Sequence, residues 1–491
     1  MSDEVTTPAP EHAEKKEHKK QKKEKPAEEP VLMQKLVSLA KRRGLIFQSS
    51  EIYGGLKSAY DYGPLGVELK RNIKNLWWRT MVHEREDIVG IDASIIMHPK
   101  VWEASGHVAG FTDPLVDCMD CKSRFRADHA PMGDGGKIKC PNCGSQKLGE
   151  VRKFNLMFKT NLGPVEDSSA TVFLRPETAQ AMFVNFLNVQ QSYRLKPPFG
   201  IAQQGKSFRN EITVEHFTFR SCEFEQMEME YFVPPPEFAD EGKKPLDYYA
   251  YWKAERLRWY TETLGIRAEK LRLREHAKDE LAHYANGCAD VEYEYPWGWG
   301  ELEGIASRGN FDLTQHSTHS GKKLTYFDVD KKAHYLPHVI EPAAGADRTL
   351  LAVLIDAYDE EPPPPEAKGD NAEPRVLLHL DPRVAPIKVA VFPLIKKEGM
   401  PERARDIIRT FWKNGVNAFY DEKDAVGRRY RRQDEVGTPF CITVDGDTAK
   451  DDTVTLRYRD DMKQERIKIA DALSLVAEKV RVGGRDVRLN R

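Results

Sequence analysis

Phe208-Arg209-Asn210-Glu211, followed after a short loop by Phe219-Arg220-Ser221-Cys222-Glu223-Phe224-Glu225-Gln226, is the stretch that decides the fold. It reads as strand, turn, strand, with charges where a purely structural strand would carry apolar groups. Arg209 and Glu211 are two residues apart, so on a strand they share one face. An arginine fork neutralises a phosphate. The neighbouring carboxylate can accept a hydrogen bond from an exocyclic amine, and Phe224 offers a flat face to a purine. Such parts would hold a nucleotide without a glycine-rich phosphate loop, and the chain contains no G-x-x-x-x-G-K-[ST]. Taken alone, either half reads better as a surface hairpin laced with salt bridges.

The halves do not stand alone. Gly345-Ala346-Asp347-Arg348 opens the apolar run Thr349 to Ile355, which sets an arginine at a helix start. The first pattern resembles motif 2 of the class II aminoacyl-tRNA synthetases and the second resembles motif 3. Within that class the chain resembles the glycyl-tRNA synthetase family of homodimeric bacterial type. The words that carry the resemblance are Arg42 to Phe47, Ser50 to Gly55, Tyr60 to Gly66, Leu174 to Gln180, Glu301 to Ala306 and Val339 to Pro342. They run in family order from about Leu36 to the C-terminus. The resemblance implies an α+β catalytic domain built on an antiparallel sheet, of class II synthetase type. It also implies a C-terminal α/β anticodon-binding domain.

The expected organisation is a charged tail over 1–32 and a catalytic domain over 33–360. The catalytic domain would carry a zinc-ribbon insertion at 113–153 and a helical insertion at 232–297. A proline-rich linker over 361–380 and the anticodon-binding domain over 381–491 would follow. The tail alternates lysine with glutamate and lacks apolar periodicity, so it cannot offset its ordering entropy. Pro362 to Pro365 read as a semi-rigid spacer. A helix after Pro64 with Leu69, Ile73, Leu76 and Trp77 on one stripe is read as part of a dimer interface. Beyond the linker, strands at 387–392, 418–420, 440–444 and 453–458 alternate with helices, as in a sheet covered on both faces.

At 491 residues and 40% hydrophobic, the chain can build several cores. A formal charge of -2 excludes wholesale attraction to nucleic acid, so tRNA contacts must come from local patches. No apolar run is long enough to span a membrane. The charged N-terminus lacks a secretory core, and an odd count of seven cysteines fits a reduced cytoplasm.

Cys118-x-x-Cys121 and Cys140-x-x-Cys143 are two knuckles with the spacing of a closed, structural zinc site. Disulfides are the alternative, and the cytoplasmic setting argues against them. His316 and His319 lack a third ligand and read as loop residues.

The remaining site residues rest on the resemblance. ATP would meet Arg209, Asn210, Glu211, Phe219, Arg220, Ser221, Cys222, Glu223 and Phe224, then Glu301, Leu302, Gly345, Ala346, Asp347 and Arg348, with Mg2+ at Glu301. Glycine would meet Arg126, Glu177, Phe224, Glu225, Gln226, Met227, Glu228, Glu341, Pro342, Ala343, Ala344 and Gly345. The anticodon would meet Arg428, Arg429, Arg431 and Arg432. Implied partners are tRNA(Gly), glycine and a second copy of the chain. Two departures stand out. Ala343 replaces the serine of many relatives, and Cys222 stands where many carry arginine. Rival readings are a class II enzyme for another amino acid, and a catalytically silent paralogue. Retention of both Arg209 and Arg348 speaks against the paralogue.

Overall fold

The structure, a computed structural model, describes residues 30–164, 170–239, 245–281, 285–363 and 373–483. Most of the expected tail lies outside them. Helix α1 (Val31–Arg42) begins just inside the tail's expected boundary and buries Met33, Leu36, Leu39 and Ala40, spaced as one helical face.

Pro64 opens helix α2 (Pro64–Trp78) at its first turn, where a missing N–H costs nothing. Strand β1 (Ile88–Ile91) follows. Helix α3 (Ala179–Val184) precedes the motif 2 strands β2 (Phe199–Phe208) and β3 (Glu223–Val233). Then come α4 (Pro245–Arg258), β4 (Leu271–Glu275), β5 (Gly287–Tyr295), β6 (Gly298–Gly309), α5 (Phe311–Ser320), β7 (His338–Gly345) and α6 (Ala346–Ala357). Among the described residues these seven strands form one sheet in the order β4-β5-β6-β7-β3-β2-β1. Neighbours are antiparallel except β1 and β2.

The sheet has two unlike faces. Met227, Met229, Tyr231, Ile305 and Ile340 point into a core shared with α2, α4 and α6. The alternate residues Gln226, Glu228 and Glu230 of β3 point the other way. At one end that second face is covered by apolar side chains of α3 and α5, with Phe183, Phe186, Phe199 and Phe232 at the centre. At the other end it lies open as a cleft.

Three expectations need correction here. The stripe Leu69, Ile73, Leu76 and Trp77 is buried in the chain's own core and does not face a partner. The 232–297 segment is not a wholly helical insertion: among its described residues α4 and the turn after it are joined by short 3-10 turns at Pro236–Phe238 and Ala268–Lys270, and β4 and β5 extend the main sheet. Buried Asp290 and Glu292 interrupt the apolar alternation that would have marked β5 as a strand. Finally, the 361–380 linker is structured at both described ends. Strand β8 (Tyr358–Glu361) pairs with β9 (Arg375–Leu378), and Leu377, Leu378 and Leu380 are fully buried. Pro364 and Pro365 lie outside the described residues.

The C-terminal region is a mixed sheet of β10 (Val389–Pro393), β11 (Ala418–Tyr420), β12 (Phe440–Val444), β13 (Thr453–Tyr458) and β14 (Gln464–Lys468). Its order is β11-β10-β12-β13-β14. Helices α7 (Met400–Lys413) and α9 (Ile469–Val482) pack on one face. Helix α8 (Val426–Glu435) sets Val426 and Tyr430 against Phe392 on the other.

Residues 114–153 form a separate compact unit. Leu115–Asp117 pair with Arg124–Arg126, and Val116, Phe125, Cys118 and Cys140 make its small core. Within it Arg126 pairs with Asp128 at 2.7 Å.

Candidate active site

The cleft has a volume of about 370 Å3 and lies over β3, β7, β6 and β5. Small residues make room for it. Ala343 of β7 stands between Glu228 of β3 and Gly304 of β6 in register, with Ala306 beside Glu341. A glycine is also required at Gly205 of β2. A Cβ there would come within 2.2 Å of the Arg175 guanidinium, which is itself fixed by the Lys206 and Ala93 carbonyls at 2.7 and 2.9 Å.

One end of the cleft is acidic. Glu177, Glu228 and Glu341 line it, with Arg308 as their cation. Arg308 donates to Glu341 at 2.7 Å and forks onto Asp312 at 2.8 and 2.9 Å. His107 faces Glu177 at 3.3 Å. Burial pushes the Glu177 carboxyl up, but His107, Arg308 and Gln180 outweigh it and hold the group well below the usual range. Glu228 goes the other way. Burial, then the charges of Glu341 and Glu177, push it up to about 8, although Thr178 donates to it. Behind it the fully buried Glu230 is raised well above the carboxylate range by burial and by Glu341. The pocket floor therefore holds crowded carboxyls that a small cationic group would draw into the ionised form.

The other end is built from arginines and rings. Arg209 donates to the Pro176 carbonyl at 3.0 Å, and its guanidinium lies between Phe224 and Phe111, 5.2 and 5.4 Å from their centroids. Arg348, in the first turn of α6, lies 4.5 Å over the Phe219 ring and pairs with Glu301 at 2.9 Å. Arg348 holds the Glu301 carboxyl below its usual range, against the effect of burial. Both arginines border the cleft, with Glu211, Arg220 and Ser221 beside them.

The expected ATP residues divide. Arg209, Glu211, Phe219, Arg220, Ser221, Phe224, Glu301, Gly345, Asp347 and Arg348 line the cleft; Asn210, Cys222, Glu223, Leu302 and Ala346 do not. Strand β2 stops at Phe208, so Arg209 and Glu211 belong to the loop and not to one strand face. A bulge explains Leu302. Pairing slips between Val291 and Glu292, so that Glu301 and Glu303 but not Leu302 have partners on β5. Leu302 turns into the core while Glu301 borders the cleft. Ala346 is core as well. The Asp347 carboxylate is engaged by Lys70 at 2.8 Å, by Tyr62, and by the Glu225 amide at 2.6 Å.

Of the expected glycine residues, Glu177, Phe224, Glu225, Gln226, Glu228, Glu341, Ala343, Ala344 and Gly345 border the cleft. Met227 alternates into the core, and Pro342 is buried outside the cleft. The Glu225 carboxylate is paired with Lys70 at 2.9 Å and with Lys74 of α2, so it supports the wall from behind. Arg308, His107 and Thr178 were not anticipated. Only the apolar context of Arg308, on the same strand as Glu301, could have flagged it. His316 is on α5 and not in a loop; it is buried and meets Gln180 at 2.8 Å.

The comparisons bear on the whole chain. A glycine–tRNA ligase of Treponema denticola is 52% identical over 452 residues, covering 92% of this chain and 98% of that protein. One from Thermobifida fusca is 52% identical over 466 residues, covering 91% and 98%. The chain belongs to the glycine–tRNA ligase family. Its activity is that of an aminoacyl-tRNA ligase in protein synthesis. The family profile described as "Anticodon binding domain" matches residues 388–479 of this glycine–tRNA ligase family member. Prolyl-tRNA synthetase from Cryptosporidium parvum, complexed with L-proline and AMP, superposes with a TM-score of 0.61 at 14% identity. The match covers 91% of this chain and 74% of that one and reflects the shared class II fold.

In this ligase the C-terminal arginine cluster is largely engaged within the domain. Arg429 is buried and donates to the Pro393 carbonyl at 2.7 Å and the Asp421 carbonyl at 3.2 Å. Arg432 pairs with Asp421 and Asp424 at 2.7 and 2.8 Å. The four cysteines converge: Cys118 lies 3.6 Å from Cys143 and Cys121 lies 3.6 Å from Cys140, sulfur to sulfur. All four sulfurs fall within 4.8 Å of one another. Among the described residues, no helix is long and apolar enough to cross a membrane.

Proposed function

We propose that the cleft activates glycine with ATP and that the same site then passes glycine to the 3′ end of tRNA(Gly). The observation that carries the assignment is the acid-floored, alanine- and glycine-walled end of the cleft. An amino acid without a side chain is held by its ammonium on Glu177, Glu228 and Glu341, and larger amino acids are excluded sterically. No smaller competitor exists, so steric exclusion suffices. Arg209 aligns the glycine carboxylate with the α-phosphate, and Phe224 and the Glu211 loop receive adenine. Arg348 takes the far phosphates. Alignment and fixed positive charge do most of the catalytic work, since the step gathers anions and moves few protons.

Magnesium fits the exposed carboxylate of Glu301, because it binds few carboxylates together with phosphate oxygens. It would supply charge neutralisation on the phosphates. Zinc fits the four cysteines: a tetrahedron with Zn–S of about 2.3 Å has edges of about 3.8 Å, near the observed spacing. Its role there is structural. We further propose a cytoplasmic homodimer, supported by the outward Ile52 and Tyr53, 88% and 87% exposed. Both lie in one of the family words.

Pyrophosphate exchange with a panel of amino acids tests the assignment: glycine alone should drive it, and exchange with alanine or serine at comparable efficiency would overturn it. In the same assay the glycine KM should fall as pH rises from 6 to 8. Glu228 holds a proton over that range, with its value near 8. An ammonium ligand favours the ionised form, so binding releases the proton and tightens by up to about tenfold per pH unit. Glu228→Gln should raise KM and flatten that slope.

A further inference from the structure

One wall of the cleft carries a group of donors that glycine activation does not use. Residue His276 follows β4 directly, and Cys288 and Asp290 sit two apart on β5, so they share a face. Their partners across the sheet are Ala306 and Gly304, both lining the cleft. Because those two partners are small, the thiol and the carboxylate are not covered from the β6 side. A Cβ on Gly304 would stand 3.8 Å from Asp290 Oδ1. The pairing of His276 N–H with the Cys288 carbonyl at 2.9 Å brings the two residues opposite each other. The imidazole Nε2 meets Asp290 Oδ2 at 2.8 Å.

We infer that His276, Cys288 and Asp290 form a second metal site, for a thiophilic divalent cation of the zinc class, in the wall of the catalytic cleft. One nitrogen, one sulfur and one carboxylate oxygen lie within 4.8 Å of one another, and none of the three residues is exposed. Ligand atoms around a four-coordinate zinc ion are separated by about 3.3 to 3.8 Å, so small rotamer changes close the set. The sulfur distinguishes the site from Glu301: hard magnesium avoids thiolate, whereas zinc and cobalt accept the mixed N, S, O set. Charge favours a cation as well. Burial, then the charges of Asp290, Glu341, Glu301 and Glu275, push the Cys288 thiol up to about 12, so the charge around it is negative. One opposing cation, Arg274, stands 3.9 Å from Asp290. Binding would displace the thiol proton to solvent, shift the Nε2 proton to Nδ1 of the imidazole, and replace the imidazole–carboxylate hydrogen bond with two metal bonds. Three protein ligands leave a fourth position directed at the cleft, which is the form of an open site and not of a closed structural one. The set is independent of Cys118, Cys121, Cys140 and Cys143, which belong to the separate 114–153 unit.

Cobalt titration of the full chain, purified with one equivalent of zinc, tests the inference. A further equivalent of Co2+ should bind with the intense visible bands of low coordination and a near-ultraviolet thiolate-to-cobalt band. Cys288→Ser should abolish that thiolate band, and His276→Gln should weaken the second equivalent at least tenfold while the protein stays folded by circular dichroism. Asp290→Asn serves if Cys288→Ser does not fold. The absence of a second equivalent overturns the proposal. So does a second equivalent whose spectrum and affinity are unchanged in both Cys288→Ser and His276→Gln.

Discussion

Arginine does opposite work in the cleft and in the C-terminal sheet. Arg209 and Arg348 lie over aromatic faces, and each keeps part of its donor fork toward the cleft. Arg429, Arg457 and Arg459 are 3%, 4% and 2% exposed and direct their donors to carbonyls and carboxylates inside the domain. Arg209 is held by rings and one carbonyl, and Arg348 by a ring and by Glu301 at the cleft border, so both charges stay where an incoming anion can meet them. Fully bridged arginines are structural cement. Counting basic residues in a sequence cannot separate the two; their partners can.

The largest effect should come from the cleft. Arg348→Ala and Arg209→Ala should each lower glycine-dependent pyrophosphate exchange by about 100- to 1,000-fold, the usual loss when one fixed donor to developing charge is removed. The fold should be nearly unaffected, with a change of less than about 1 kcal/mol, because each arginine makes few and partly exposed contacts. Urea denaturation beside exchange kinetics reads both quantities. Near-normal exchange in either folded variant would erase the distinction drawn between the two regions.

In the C-terminal sheet the expected loss is stability. Asp434 of α8 is fully buried and joins two arginines: Arg457 by a fork at 2.8 and 3.0 Å and Arg375 of β9 at 2.9 Å. Asp434→Ala takes the fork from Arg457 in a dry site, leaves Arg375 with the Glu361 carboxylate, and should cost about 3 to 5 kcal/mol. The same cluster ties β9 to α8, which is why the segment expected to be a free linker is not one at its described ends. Denaturant unfolding should therefore show the loss, whereas exchange measured where the protein remains folded should stay within a few-fold of the parent. An unchanged midpoint would mean that the pair contributes specificity and no net stability.

Much of this was legible because the informative words are polar residues in apolar surroundings. The motif 2 and motif 3 arginines and the four cysteines stand out in the local sequence, and the acid floor follows from the resemblance to the family. Legibility failed where a side chain's direction depends on register. Leu302 and Met227 lie beside true cleft residues in sequence and turn away from the cleft, one through a bulge and one through strand alternation. Glu225 is anionic and adjacent to Gln226, yet α2 claims it with two lysines. Strands β4 and β5 were read as helix because Arg272, Arg274, Asp290 and Glu292 disguise the apolar period with paired charges. Arg308 and His107 carry no local motif; only the folded sheet brings them to the acids.

The smallest effect sharpens the comparison most. Of the four arginines expected at the anticodon, Arg429 and Arg432 are held by their own domain, while Arg428 and Arg431 lie on the exposed and half-exposed sides of α8. If α8 approaches RNA, it does so through these two residues, and their contribution is electrostatic. Removing one phosphate interaction with a single strand lowers the salt slope of binding by about 0.7. The pair Arg428→Gln and Arg431→Gln should therefore weaken tRNA binding by less than about tenfold near physiological salt and reduce the slope by about 1 to 1.5. Neither stability nor pyrophosphate exchange should move, because Arg428 is exposed, Arg431 is half-exposed and neither borders the cleft. Filter binding over a range of salt concentrations measures the slope. An unchanged slope would take α8 out of the RNA interface and leave its whole arginine cluster, like Arg429, to the internal architecture of the domain.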